Sequence, residues 1–181
     1  MNTTRVLAFL AIMIVGGLAV GHASARNTHE TAGQGLRVTI ARHGLRITIP
    51  GGWHGRIYQR RAGLPILQAG NFRLPENDDD VGTKATKRMR RASIFISLLE
   101  ACPGSPFPHV RLPVRIRRSD FLPMFEGVPR SHAFARRLFT VNGRKFQLWL
   151  QFGRRPAVAS ALQHANDGIE TLGIEARPTC R

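Results

Sequence analysis

Acidic residues are scarce in this chain: 11 Asp and Glu stand against 27 Lys and Arg, a formal net charge of +16. The imbalance favours anionic partners such as nucleic acid, lipid headgroups or acidic wall polymers. Aromatic residues are also few, at 7%. Only Trp53, Tyr58 and Trp149 offer themselves for base stacking, too few for a single-strand nucleic-acid surface. With no zinc-finger, RNP or basic-zipper pattern either, sequence-specific nucleic-acid binding is not expected. Cysteine is limited to Cys102 and Cys180, with no CxxC pair that would suggest redox work. No GxSxG elbow, HExxH, P-loop or GxGxxG between strand and helix occurs, so no standard catalytic constellation is written here. No catalytic residue, cofactor or metal is expected.

What is present first is an apolar run at 6–20 that follows Arg5 and precedes Ala23-Ser24-Ala25. A basic residue, a short apolar core and a small-x-small site describe a secretory signal peptide over 1–25. As a helix the run would extend about 22 Å, short of the roughly 30 Å hydrocarbon core. A retained anchor is the alternative. The chain is thus expected in the envelope or secreted. Residues 26–34 read as a flexible leader and 35–181 as a single domain. In that compartment Cys102 and Cys180 read as a structural disulfide.

The basic residues are mostly arginine, 24 of 27 once the three lysines are subtracted. A GC-rich genome would produce that bias without any binding role, and both readings stay open. Lys84, Lys87, Arg88 and Arg91 fall at i, i+3, i+4 and i+7 of a predicted helix and form one stripe. With Arg115 and Arg117 they are the anion-binding candidates. Further basic clusters lie in RIYQRR (56–61), RIRR (115–118), ARR (135–137) and RR (154–155).

Against this background the stretch LPENDDDVGT (74–83) is unusual. Glu76, Asp78 and Asp80 alternate as calcium ligands would. The calcium loop motif fails twice, however: Val81 stands where Gly is needed, and Arg88 stands where a Glu should follow Gly82. The favoured reading is that Asp80 or a neighbour caps the basic helix. Glu100, at the end of the apolar run SIFISLLEA (93–101), reads as exposed at the sheet edge or paired with an arginine, and structural pairing is favoured over a functional role. A hydrolase site built around the irregular connection 119–132, with a pocket holding His132 or Glu100, is the alternative function. Ser131, His132 and Asp120 lie near one another in sequence there, as such residues do in any chain of this size.

Alternation of apolar and polar residues predicts strands. GLRVTI (35–40) and GLRITI (44–49) form a hairpin of half-buried strands, in which Leu36, Val38 and Ile40 face one way, as do Leu45, Ile47 and Ile49. HGRIYQR (54–60), LPILQAGNF (64–72) and the run 93–101 follow. LPVRIRR (112–118) alternates with Leu112, Val114 and Ile116 inward. AFARRLFTV (133–141) and RKFQLWLQF (144–152) flank Asn142-Gly143, the pair a type I′ hairpin turn prefers. Pro156 opens a final helix with the stripe Val158, Leu162, Ala165, Ile169 and Leu172, and Gly173 is its expected stop. The class is α+β: a mainly antiparallel sheet with N- and C-terminal hairpins, one face covered by a C-terminal helix.

LRITIPGGW, FTVNGRKFQLWLQFG and ALQHANDGIETLGI together resemble small exported α+β domains of the PsbP-like and actinobacterial lipoprotein kind. They also resemble secreted proteins of high-GC bacteria. The likeness covers the first and last quarters of the mature chain. It implies an antiparallel sheet with helices and a non-catalytic role, and it carries over no functional residue. The lipobox cysteine of the lipoproteins is missing. Taken together, the sequence reads as a non-enzymatic binding or accessory protein with a basic surface. Its expected partner is an anionic envelope polymer, a lipid surface or an acidic protein.

Overall fold

Two dipeptides in which both residues take positive φ set the two hairpins. His43 and Gly44 (φ 52° and 69°) join β1 (Val38–Arg42) to β2 (Leu45–Ile49). Asn142 and Gly143 (φ 51° and 76°) join β7 (Ala133–Val141) to β8 (Arg144–Phe152). Both have the left-handed pair that matches the twist of antiparallel strands. The computed structural model describes residues 36–61, 63–102, 104, 106–124, 126–157 and 159–176. The expected signal peptide, the expected leader and Cys180 lie outside these residues. Of the expected disulfide only exposed Cys102 is described.

The remaining elements are β3 (His54–Gln59), β4 (Pro65–Gly70), α1 (Thr83–Arg88), β5 (Ile94–Ala101), β6 (Phe121–Leu122), α2 (Ala159–Ile169) and β9 (Gly173–Ile174). Six strands form one antiparallel sheet in the order β3-β4-β5-β8-β7-β6, and β1-β2-β9 form a smaller antiparallel sheet. The described residues are therefore mostly antiparallel sheet with two α-helices. β5 is central, which explains why 93–101 is apolar at successive positions: its two faces are both covered. Ile94, Ile96 and Leu98 point into the main core with Leu148, Leu150, Ile47 and the α2 residues Ala165 and Ile169. Phe95, between them, points the other way and packs with Ala85 and Met89 of the α1 region.

Three sequence expectations are corrected here. In β1, Leu36 and Val38 are 88% and 48% exposed, not half-buried. β1 is the edge of the small sheet, and only Ile40 turns inward, toward Gly55 of β3. A Cβ on Gly55 would lie 2.9 Å from Ile40 Cδ1, so the absent side chain lets β1 approach. Segment 112–117 buries Val114 and Ile116 as its alternation predicts, and Leu112 partly, but it joins no sheet. The Asn166 side chain pairs with it instead, accepting from Ile116 N–H (2.9 Å) and donating to Ile116 C=O (3.0 Å). Finally, α2 ends at Ile169, before Gly173. The Thr171 hydroxyl donates to Gly168 C=O (2.7 Å) and accepts from Thr48 N–H (2.8 Å), while Gly173 pairs with Arg46 in β9.

Candidate functional site: the acidic loop and the cations around it

The acidic stretch is a clamped loop. Its carbonyls from Pro75 to Asp80 each accept a hydrogen bond from a side chain. Arg56 Nη1 donates to Pro75 (2.5 Å) and Glu76 (3.0 Å), and Lys84 Nζ to Asn77 (2.5 Å). Arg60 donates to Asp78 (2.7 Å), Gln68 and Tyr58 to Asp79 (3.0 and 3.3 Å), and Ser97 to Asp80 (3.2 Å). Most of these donors stand on β3, β4 and β5, so the large sheet fixes the loop against itself. Arg56 is held in turn by Gln68 Oε1 through Nε (3.1 Å) and Nη2 (2.5 Å). Partial burial pushes the Tyr58 hydroxyl above its usual pKa, against the lowering pull of Arg56 and Arg60.

The carboxylates turn toward α1. Asp78 Oδ1 accepts from Lys84 N–H (2.8 Å) and Oδ2 from Ala85 N–H (2.7 Å). Asp79 Oδ1 accepts from Thr83 N–H (2.8 Å). Three free amides of the first turn are thereby satisfied, which a helix of six residues needs in order to persist. Burial acts to raise the Asp79 carboxyl. The hydrogen bonds from Thr83, Gly82 and Val81 outweigh it and hold the group below its usual value. The cap is thus formed by Asp78 and Asp79. Asp80, the first-named sequence candidate, pairs with Arg60 at 2.7 Å. Glu76, Asp78 and Asp80 do not converge, and among the described residues no three His, Cys, Asp or Glu side chains are gathered as metal ligands would be.

The six anion-binding candidates do not form one face. Lys84, Lys87 and Arg88 lie on α1, on the side of the sheet where Phe95 points, whereas Arg91, beyond its end, lines a separate hollow with Ile94 and Phe152 of the main core. Arg115 and Arg117 flank Val114 and Ile116, which belong to the opposite core. Arg115 pairs with Glu170, which raises its pKa, and the Arg117 backbone N–H donates to Asp120 (2.7 Å). What does gather is a polar cleft of about 410 Å3 lined by Arg73, Lys84 and Arg88 together with Leu74, Asn77 and Glu76. Arg73 escapes sequence analysis because it precedes the acids and belongs to no stripe. Only the loop's return brings it beside α1.

Many other arginines are consumed internally. Arg144, 1% exposed, donates from Nε and Nη2 to the two oxygens of Glu100 (2.9 and 2.6 Å). Its remaining N–H groups reach the carbonyls of Gly44 (3.0 Å), Glu175 (3.1 Å) and His43 (3.4 Å). All five guanidinium donors have acceptors. Glu100 is therefore a structural partner, its side chain fully buried and both of its oxygens engaged by Arg144. Arg137 donates to Arg115 C=O (2.5 Å) and faces Asp120 at 3.8 Å. Arg155 donates to the carbonyls of Leu122, Pro123 and His132.

His132 is buried at the start of β7 with no hydrogen-bond partner on Nδ1, and burial lowers its pKa. Ser131 is exposed, and Asp120 is engaged by Arg117 and Arg137. Among the described residues no hydrogen bond connects Ser131, His132 and Asp120. No protein-family model, curated protein or solved structure matches the chain. Among the described residues no helix is long and apolar enough to cross a membrane.

Proposed function

We propose that the protein is a non-enzymatic binding module of the cell envelope or the secreted space, and that its α1 side holds a polyanion such as an acidic envelope polymer. One observation carries this reading: Arg73, Lys84 and Arg88 share a polar cleft with one carboxylate, Glu76, while the neighbouring Asp78 and Asp79 are occupied by the α1 amides and Asp80 by Arg60. Three cations against one carboxylate leave a net positive field at that surface. The reading takes α2 as the cover of one face of the large sheet, with α1 and its cations on the other. It is consistent with the non-catalytic role that the PsbP-like resemblance implies. Export rests on the signal peptide expected at 1–25.

The test is binding of a sulfated polysaccharide to the purified protein across a salt series from about 20 to about 300 mM, where screening separates charge-driven from other association. The expected result is saturable binding that weakens steeply with salt and falls at least about tenfold in R73A/K84A/R88A. R130A, at an exposed site away from the cleft, serves as the control. Binding indifferent to the triple substitution, or no binding at low salt, overturns the reading.

A further inference from the structure

At the end of the large sheet where β5 begins and β8 ends, a second cavity of about 310 Å3 has a different character. Ile94, Phe152, Ala157 and Ala161 form its apolar lining, and Arg91 and Arg154 line it as well. Gly153 accounts for this construction. Its amide donates to Ser93 C=O (2.9 Å), and a Cβ there would lie 1.7 Å from Arg90 C=O. The chain at 90–93 is thus pressed directly onto the chain at 153, bringing arginines far apart in sequence to one opening.

Arg91 is exposed and Arg154 half-buried, and neither guanidinium makes a hydrogen bond or ion pair with another described residue. Arg155, the next residue, is fully committed to backbone carbonyls and shows what a structural arginine looks like here. A pair of uncompensated guanidiniums beside an apolar hollow matches a ligand that is itself divided. Its head must be anionic, because Arg presents paired donors to a carboxylate or sulfate. Its body must be apolar, because the lining offers methyls and a ring. A hydrophilic polyanion would leave the hollow unfilled, and an uncharged hydrocarbon would leave the arginines unused.

We propose that this cavity binds a single-chain anionic amphiphile, of the free fatty-acid type, with the chain between α2 and Phe152 and the head between Arg91 and Arg154. This site is separate from the polyanion cleft. Affinity should rise with chain length from octanoate to dodecanoate, by up to about fourfold per added methylene while the hollow fills.

Titration calorimetry with dodecanoate below its micelle concentration, on the purified protein, tests it. The expected result is one-to-one binding that weakens about tenfold or more in R91A/R154A, the loss expected for a charge-assisted contact. Dodecanol binding should change less than about twofold, since its chain alone contributes. Ala161→Phe, which fills the hollow, should abolish the dependence on chain length while R91A alone keeps the fold intact. R73A/K84A/R88A should bind dodecanoate as the parent does. No saturable binding of dodecanoate, or binding unaffected by Ala161→Phe, overturns the proposal. So does capture by anionic phospholipid vesicles without dodecanoate binding, which would place a membrane surface where we place a free chain.

Discussion

The carboxamide of Asn166 stands to Ile116 as a neighbouring strand would, giving one acceptor and one donor to the same residue's N–H and C=O. A buried side chain on α2 thus supplies the ladder that segment 112–117 lacks. N166A removes both partners and leaves a buried amide and carbonyl unmet. We expect a loss of roughly 2–4 kcal/mol in urea unfolding. Amide exchange at Ile116 should accelerate at the same time. Unchanged protection there would show that water replaces the carboxamide without cost.

Arg144 and Glu100 predict a sharper loss. Breaking the pair by R144M leaves a carboxylate buried without its partner, and about 3–5 kcal/mol is expected to disappear. The double variant E100L/R144M should be less damaging than the sum of the singles, because neither charge is then stranded. Chemical denaturation of the four proteins measures the coupling directly. Additive losses would mean that Arg144 acts through the three carbonyls alone.

The cap predicts how the acidic loop responds to substitution and to acid. D78A should cost about 1–2 kcal/mol and loosen α1, an effect of the size known for strong N-caps. Asp79 is held below its ordinary pKa, so it contributes stability above the unfolded value near pH 4, and that contribution is lost as the pH falls through the lower folded value. D79N should flatten this acid limb. Calcium should leave the melting temperature of the parent protein unchanged, and a rise with calcium would return the loop to metal binding.

His132 predicts a second pH dependence with the opposite residue type. Its folded pKa is lowered by burial, so the unfolded chain binds a proton that the folded one refuses. Stability is therefore full above about pH 6.5, declines as the pH falls through that value, and levels off below the folded pKa. The groups beside it are the carbonyl-bound Arg155 and the apolar start of β7, neither of which favours an imidazolium. Denaturant midpoints measured from pH 7.5 to 5 should slope in the parent and flatten in H132L, and parallel curves would overturn the assignment.

How far these features could be read from the sequence depended on how local they are. Asn142-Gly143 and the alternation on either side of it specify a hairpin within twenty residues, and the hairpin is there. Val114 and Ile116 alternate as strand residues do and are buried as expected, yet their pairing partner is fifty positions away on a helix. The acids before α1 were readable as a cap, but which of them turns inward depends on Arg60 taking Asp80 from the sheet. Arg154 and Arg155 make the limit plainest. They are identical neighbours, and only the fold sends one into three carbonyls and leaves the other facing an apolar hollow. Arginine abundance alone therefore could not separate the cations that build the molecule from those that face outward.

Arg144 has one more consequence, which concerns the order of assembly. Its guanidinium reaches 100 residues back to Gly44 and 31 forward to Glu175, and β2 pairs with β9, the last strand of the described chain. Such contacts raise the contact order and delay the reward for early structure. The first hairpin emerges long before anything exists for it to join, and a chain stopped short of Gly173 lacks both its third strand and one acceptor of the buried guanidinium. This domain closes from its final residues, so its beginning must wait for its end.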